Sequence, residues 1–295
     1  MELRVLRYFL TVVREENITR AADALHITQP ALSRQMNALE QELNCQLFVR
    51  GKRRTTLTEA GQFLRRRAEE LIALEEKTER EFAASGQELM GEISIGSTES
   101  SAAKIFPTLI APFIQAHPMV RFDLLSGNAD QIKDSLDAGL LDIGLLLEPV
   151  DVEKYEFLRV EQREKWGGLL RADDPLSEKS AVTPEDLSDL PLLLSKRGLI
   201  QKELESWFGS FYERLHILAT YNLIGNAVHF VEQGLGCAIT IEGAVSSYDP
   251  QRVCFRPFTP ELSFRSVLIW KKYQVFSPVT AQFLNHLKIT LEHDK

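Results

Sequence analysis

The sequence predicts an α/β protein in three successive parts: a small helical domain with two short strands, one long helix, and a larger domain of alternating strands and helices. Three observations support this prediction. Two short helices lie between Thr19 and Arg34, a helix free of proline and glycine runs from Gly61 to about Phe82, and alternation of strands with helices begins near Glu92. The predicted domain boundaries are 1–58, 59–88 and 89–295.

The second of the two short helices has a well-marked start. Thr28 is a suitable N-cap, and Pro30 falls in the first turn, where its missing N–H costs nothing. An apolar stripe at helical spacing then predicts a buried face formed by Leu32, Met36, Leu39 and Leu43. The opposite face is polar near its N-terminal end, where the recognition helix of a helix-turn-helix contacts bases and phosphates. The residues predicted to contact DNA there are Thr28, Gln29, Pro30, Ala31, Ser33, Arg34 and Asn37.

A basic turn follows these helices. The runs from Leu47 to Val49 and from Thr55 to Leu57 predict two short strands around it. Such a wing lies along the phosphate backbone or enters the minor groove, so the pattern predicts a winged helix-turn-helix. A solvated turn is the alternative, which the order of helix and basic turn disfavours. The basic residues predicted to contact DNA are Arg50, Lys52, Arg53 and Arg54.

The N-terminal block resembles the LysR-type transcriptional regulators. The motifs that carry the resemblance are Ala21-Ala22-x-x-Leu25-x-Ile27-x-Gln29-Pro30-Ala31-Leu32-Ser33, Leu39-Glu40, Leu47-Phe48-x-Arg50 and Leu57-Thr58-x-Ala60-Gly61. Asn44 stands where the family usually has glycine; because asparagine tolerates the left-handed conformation, it can still end the recognition helix. The resemblance implies a regulator that binds an interrupted palindrome of double-stranded DNA as a dimer or tetramer, with RNA polymerase as a further partner.

The long helix, for which Thr58 is a suitable N-cap, carries an apolar seam at coiled-coil-like spacing. A lone helix would expose this seam to water, so we expect it to pair with a second chain. A helix folded back onto its own C-terminal domain is the alternative. The resemblance implies antiparallel pairing that sets the separation of the two DNA-binding heads. The seam consists of Ala60, Leu64, Leu71, Leu74, Thr78 and Phe82.

The larger domain begins with the order β-α-β-α-β between Glu92 and Leu147, which predicts a parallel sheet with helices on its faces. The alternation repeats from about Val160 and predicts a second lobe. The resemblance implies a periplasmic-binding-protein-like α/β effector domain with a hinged cleft between the lobes. Lobe I is predicted to comprise 89–160 and 265–295, and lobe II 161–264.

Ligands of such folds bind at the carboxyl ends of the strands, and polar residues follow several strands here. Hydroxyls and N–H groups at a helix N-terminus would suit a small anion, although helix capping explains the polar residues and core packing the apolar ones. The first lobe shows no obvious arginine at its strand ends, so the charge of the ligand stays open. We expect a small-molecule co-inducer and no cofactor, bound by Ser97, Thr98, Glu99, Ser100, Asn128, Leu146, Ser195, Asn222 and Ile224.

The remaining sequence features point away from catalysis and metal binding. The net charge of −8 belongs to the part after residue 90, since basic and acidic residues balance before it. Ser97 and Ser100 lack the Gly-x-Ser-x-Gly elbow of a serine nucleophile, and the histidines do not cluster with acids or cysteines. We therefore expect no enzyme and no metal site.

The sequence also predicts the cellular compartment of the protein. Cys45, Cys237 and Cys254 are too scattered for a disulfide framework or a zinc site, and we expect them to be buried thiols. The first residues lack the apolar segment of a signal peptide, and no run approaches the ~18 apolar residues of a transmembrane helix. We expect a cytoplasmic protein with no membrane partner. A free solute-binding protein would need a signal sequence and would not need the wing.

Overall fold

The computed structural model describes residues 1–50, 54–83 and 89–293. The chain divides into two compact units, Met1–Ala83 and Ala84–Lys295. The described elements of the first unit are the helices α1 Leu3–Glu15, α2 Ile18–Ala24, α3 Gln29–Glu42 and α4 Glu59–Ala83, and the strands β1 Phe48–Arg50 and β2 Thr55–Leu57.

Helices α2 and α3 form the helix-turn-helix that the sequence predicts. Thr28 is the N-cap of α3, and Pro30 lies in its first turn. The buried face of α3 contains Leu32, Met36 and Leu39, which are at most 1% exposed. Leu43 was predicted on the same face, but that prediction is wrong: its side chain is 36% exposed, because the helix ends at Glu42.

Asn44 ends the recognition helix as predicted. Its φ angle is 50°, in the left-handed region. The N–H of Asn44 donates to the carbonyl of Gln41 at 3.1 Å, and the N–H of Cys45 donates to the carbonyl of Glu40 at 3.1 Å. These two bonds form a Schellman motif, in which an asparagine replaces the more usual glycine.

The inner face of α4 packs on its own helical domain. Arg7 of α1 also pairs with Glu75 and Glu76 of α4, at 3.0 and 2.9 Å. Ala60 and Leu64 therefore contact the core of their own chain, and their assignment to a seam facing a second chain is wrong. The core residues contributed by α4 are Leu64, Ala68 and Ile72, with Ala60 partly buried against them.

A second apolar stripe on α4 stays exposed. Phe63, Leu71 and Leu74 are 56%, 39% and 38% exposed, respectively. Spacings of eight and three residues place them on one side of the helix, next to the inner face. Leu71 and Leu74 are therefore exposed, and their pairing with a second chain stays a prediction.

The described elements of the second unit alternate between strands and helices. The strands are β3 Gly91–Ser97, β4 Val120–Ser126, β5 Ile143–Leu147, β6 Tyr155–Arg171, β7 Pro191–Ser195, β8 His216–Tyr221, β9 Cys237–Ile241, β10 Val253–Pro257 and β11 Ser263–Lys271. The helices are α5 Ile105–Ala116, α6 Ala129–Asp137, α7 Pro184–Ser188, α8 Gly198–Phe208, α9 Ile224–Glu232, α10 Glu242–Val245 and α11 Pro278–His293.

Within the described residues these strands form one mixed sheet in the order β4-β3-β5-β11-β6-β9-β7-β8, with β10 paired to β6. Strand β3 is parallel to β4 and β5, and β7 is parallel to β8 and β9. Strands β6 and β11 are antiparallel to each other and connect the two parallel groups. This topology confirms two α/β lobes joined by two crossing strands.

Two elements of the second unit differ from the sequence prediction. The apolar pattern of the sequence predicts this strand only from Trp166 to Leu170, but β6 begins at Tyr155. The unbroken run of polar and charged residues over 161–165 masks the strand pattern there. The residue pattern of the sequence predicts a helix from Leu199 to Arg214, but α8 ends at Phe208. Gly209 adopts a φ of 55°, which ends the α-helix, and a 3₁₀ helix follows.

Helix α11 packs back on lobe I, as predicted. Val279, Phe283, Leu284 and Leu287 join the core formed by β3, α5 and β5. The aromatic rings of Phe283 and Phe113 meet edge to face with 4.9 Å between centroids. The C-terminal helix therefore completes the core of lobe I.

Replacing Gly61 by alanine should destabilise the winged domain. A Cβ at this position would collide with the backbone carbonyl oxygen of Leu47 and lie 2.8 Å from Leu57 Cδ2. Overpacking against backbone costs about 1–3 kcal/mol. Calorimetric unfolding of the full chain should show a lower transition temperature for Gly61→Ala, whereas Gly198→Ala, whose Cβ meets no atom within 4 Å, should unfold like the parent. Equal transitions for both variants would contradict the close approach.

Candidate functional sites

The N-terminal end of α3 presents a polar face to solvent. The buried stripe of α3 determines which residues face solvent, because residues three and four apart share one side of a helix. Ala31 and Ser33 are half-buried beside it. The predicted DNA-contacting residues that are exposed on α3 and its N-cap are Thr28, Gln29, Pro30, Arg34 and Asn37.

The wing is attached to α3 through Glu40. Its Oε1 accepts the backbone N–H of Leu47 at 2.7 Å and of Phe48 at 3.1 Å. Glu40 belongs to the Leu39-Glu40 motif, but no local pattern in the sequence predicts this contact. Because both bonds join α3 to the start of β1, they fix the wing relative to the polar face of α3.

The predicted basic residues of the wing are described only in part. Strands β1 and β2 pair antiparallel, with Arg50 opposite Thr55, which confirms the strand pair. Arg54 pairs with Glu16 at the end of α1 at 2.9 Å, and its side chain is 73% exposed. Lys52 and Arg53 lie outside the described residues.

A cavity of about 100 Å³ opens between the lobes at the strand ends. This is the place that strand order alone predicts for a ligand. The structure brings six of the predicted effector residues to its wall: Thr98, Glu99, Asn128, Ser195, Asn222 and Ile224.

The structure does not bring Ser97, Ser100 and Leu146 to this wall. Leu146 is fully buried on the opposite side of β5 against α6, because side chains alternate along a strand and Leu147 faces the cavity instead. The hydroxyl of Ser97 donates to the carbonyl of Thr98 at 3.0 Å. Ser100 is buried at the start of the following 3₁₀ helix. The prediction that Ser97, Ser100 and Leu146 line the effector cavity is therefore wrong.

Glu99 links the two lobes across the cavity. Its Oε2 accepts the backbone N–H of Ile224 at 3.0 Å. Ile224 is the first residue of α9, so the carboxylate lies at a helix N-terminus, where the helix dipole favours a negative charge. Asn128, on the same wall, forms a capping box with Gln131 at the start of α6.

Arg197 also connects the two lobes, and its side chain extends from lobe II to lobe I. From lobe II, its Nη1 donates to the carbonyl of Leu147 at 2.9 Å and its Nη2 to the carbonyl of Pro149 at 2.6 Å, both in lobe I. Burial lowers the pKa of the guanidinium, and the nearby Asp130 carboxylate opposes this shift. A cation thus lines the cavity, although sequence analysis found none at the strand ends of lobe I.

Glu164 occupies the anion position that sequence analysis assigned to a ligand. This carboxylate is 1% exposed on the crossing strand β6. It accepts the Ser101 hydroxyl and the backbone N–H groups of Ala102 at 3.1 Å and Gly243 at 3.2 Å. The donors after β3 therefore bind a carboxylate of the chain itself, which connects lobe I to α10 of lobe II.

Two further groups of this domain, the hydroxyl of Tyr221 in the cavity wall and the thiol of Cys237, are buried and unreactive. The Tyr221 hydroxyl donates to the carbonyl of Ile239 at 2.5 Å, and burial raises its pKa. Burial also raises the pKa of the Cys237 thiol, which makes its reactive thiolate form rare. Cys237 is buried as predicted, but that prediction is wrong for Cys45 and Cys254, which are half-buried.

The described residues contain no group of three or more His, Cys, Asp or Glu side chains arranged to hold a metal ion. In the same part of the chain, every helix is too short or too polar to cross a membrane.

Comparison with known families matches both parts of the chain. Residues 3–62 match the model described as bacterial regulatory helix-turn-helix protein, lysR family, and residues 86–292 match the LysR substrate binding domain. The chain belongs to the LysR family of transcriptional regulators. It therefore combines a helix-turn-helix that binds DNA with a domain that binds a small-molecule effector.

Relatives support this assignment over nearly the whole chain. An uncharacterized HTH-type transcriptional regulator of Bacillus subtilis (strain 168) is 30% identical over 264 residues, which cover 89% of each chain. The Hca operon transcriptional activator HcaR of Escherichia coli (strain K12) is 28% identical over 288 residues and 96% of each chain.

Solved structures share the fold of this LysR-type regulator. CbnR, described as a LysR family transcriptional regulator, superposes with a TM-score of 0.77 at 21% identity and covers 99% of both chains. Full-length CbnR in complex with its target DNA gives a TM-score of 0.74, also at 21% identity, over 98% of this chain and 100% of that one. At this identity the similarity concerns the fold.

The LysR-type fold brings together cavity residues that sequence analysis missed. Arg197 follows the end of β7 by two residues, so the rule that ligands bind at strand ends extends to it. Trp166 lies within strand β6, away from the strand ends to which that rule directs attention, whereas Thr240 is the last residue but one of β9. The missed cavity residues of interest are Trp166, Arg197, Tyr221 and Thr240.

Replacing Glu164 by alanine should destabilise the effector domain. The substitution leaves a hydroxyl and two backbone N–H groups without an acceptor in a buried place, which should cost about 3 kcal/mol in the free energy of unfolding. Urea unfolding followed by fluorescence measures this change. Glu161→Ala removes an exposed carboxylate from the same strand and should leave the midpoint unchanged. Similar midpoints for the two variants would show that Glu164 does not join the lobes.

Proposed function

We propose that this LysR-type regulator binds an interrupted palindrome in double-stranded DNA, with α3 in the major groove of each half-site and the wing on the adjacent backbone or minor groove. The observation that carries the proposal is the exposed polar face of α3, held next to the wing by Glu40. Gln29, Ser33, Arg34 and Asn37 are the residues that reach base edges in this arrangement.

We propose that a small-molecule co-inducer binds in the cavity between the lobes. Glu99 and Arg197 each contact the opposite lobe, so a ligand in the cavity competes with or adds to contacts that set the angle between the lobes. A ligand shifts a conformational equilibrium only through its different affinity for the two states, typically by about 1–3 kcal/mol. The change in lobe angle then alters the spacing of the DNA-binding heads.

We propose that the functional form is a dimer or tetramer assembled in part through α4. The exposed stripe of Phe63, Leu71 and Leu74 supports this, because pairing removes apolar surface from water. The regulator acts by binding, without a catalytic step, and RNA polymerase is its further partner at the promoter. Since the target is genomic DNA, we expect it to act in the cytoplasm.

Two arginine variants test the DNA-binding assignment. Arg34→Ala should weaken binding to the specific site by about 1–3 kcal/mol and leave binding to random DNA nearly unchanged, because Arg34 reads a base. Arg54→Ala should weaken both and reduce the salt slope by about 1, because a phosphate contact carries no sequence information. Fluorescence anisotropy with labelled duplexes over a salt series measures both effects. Equal losses on specific and random DNA for Arg34→Ala would exclude base reading.

A charge on the exposed stripe should disrupt self-association. We expect Leu71→Glu to raise the dissociation constant of the oligomer by ~10-fold or more, because a carboxylate would be buried among apolar side chains. Sedimentation velocity over a concentration series provides the measurement. Gln62→Glu places the same charge on the exposed far side of α4 and serves as the control. An unchanged oligomer for Leu71→Glu would exclude the stripe from the interface.

A further inference from the structure

We infer that the effector is a small carboxylic acid with an apolar body, whose carboxylate is bound by Arg197 and Trp166 in the cavity between the lobes. The inference rests on the proposed effector role of this cavity and names the chemical class of its ligand.

Two residues of the cavity wall, Arg197 and Trp166, each carry a buried N–H donor without an acceptor. The Nε of Arg197 and the Nε1 of Trp166 are enclosed by protein, and neither has a hydrogen-bond partner among the described residues. Trp166 is only 5% exposed. Buried donors in folded proteins are nearly always paired, so two such donors on one cavity indicate a ligand that supplies acceptor oxygens.

The charge of Arg197 selects an anionic acceptor. Its two other guanidinium nitrogens donate to backbone carbonyls, which are neutral. The Asp130 carboxylate lies nearby, but among the described residues no carboxylate forms an ion pair with Arg197. A largely buried cation is most stable when an anion reaches it, and a carboxylate matches the planar guanidinium best. The carboxylate therefore binds where Arg197 of lobe II meets the β5 end of lobe I.

The competing anion position is already taken. Glu99 accepts the N–H of Ile224 at the N-terminus of α9, so a carboxylate of the chain itself occupies that helix terminus. The ligand carboxylate is thereby directed away from α9 and toward Arg197.

The rest of the wall determines the body of the ligand. Apolar side chains predominate around the two donors, and the volume of about 100 Å³ is below the ~300 Å³ at which drug-sized ligands begin to fit. A short aliphatic acid satisfies both conditions. The apolar wall residues are Leu147, Ile200, Leu223, Ile224 and Ile241.

Isothermal titration of the full-length protein with matched ligand series tests the inference. The series are aliphatic monocarboxylates of three to seven carbons, their amides, their amines, and the α-amino acids of the same skeletons. We expect at least one carboxylate to bind, and its amide and amine to bind at least ~10-fold more weakly, because they cannot form a charge-assisted bond with Arg197. An amino acid that binds as well as its parent acid would also support the class and show that an ammonium group is accepted.

Variants of Trp166 and Arg197 test whether these two residues bind the carboxylate. Trp166→Phe keeps the ring and removes the N–H, and it should weaken carboxylate binding by ~10-fold. Trp207→Phe is the matched control, since its N–H donates to the carbonyl of Pro260 and the residue is not in the cavity wall. Arg197→Gln should abolish the preference for the acid over the amide.

Three results would overturn the inference. Equal affinity for acids and amides, preferred binding of amines, or no binding of any series would each exclude a carboxylic acid effector. None of these results touches the salt-dependent, sequence-selective DNA binding, which tests the proposed function separately. Unchanged affinity of Trp166→Phe would remove Trp166 from the site even if acids bind.

Discussion

One buried carboxylate joins the two lobes of the effector domain. Glu164 lies on the strand that crosses between them, and it binds the first turn after β3 on one side and the start of α10 on the other. A buried charge is stable only when its oxygens are fully hydrogen-bonded, so the three donors and the carboxylate require one another. This contact connects the segment after β3 in lobe I with the start of α10 in lobe II.

Carboxylates that accept backbone N–H groups recur at the places where parts of this protein meet. Glu40 ties the wing to the recognition helix, Glu99 ties lobe I to α9, and Glu164 ties both lobes to the crossing strand. Charge-assisted bonds to backbone are stronger than neutral ones and fix direction as well as distance. The difference lies in exposure: Glu164 is buried, whereas Glu99 is half-buried at the cavity and so can respond to a ligand.

Much of the fold could be predicted from the sequence because its causes are local. The stripe of α3, the N-cap at Thr28 and the left-handed turn at Asn44 each depend on residues within a few positions of one another. Strand β6 was predicted too short because an unbroken run of polar and charged residues over 161–165 masks the strand pattern.

The position of the cavity could be predicted from the sequence, but some of the residues that line it could not. Strand order located it, and residues that directly follow strands, such as Thr98 and Asn222, were found. Arg197 and Glu164 acquire their roles from partners about fifty or more residues away, Leu147 and Gly243 among them, and no local pattern records such contacts. For the same reason the seam of α4 could not be divided into the side that packs on α1 and the side that stays exposed.

A mobility-shift measurement tests the central claim most directly. The purified full-length protein is titrated against the intergenic DNA beside its own gene, over a salt series and with excess random competitor. The account predicts retention that survives the competitor and weakens steeply as salt rises, since phosphate contacts release counterions. If random DNA competes for the protein as effectively as the specific fragment does, the exposed face of α3 does not read sequence.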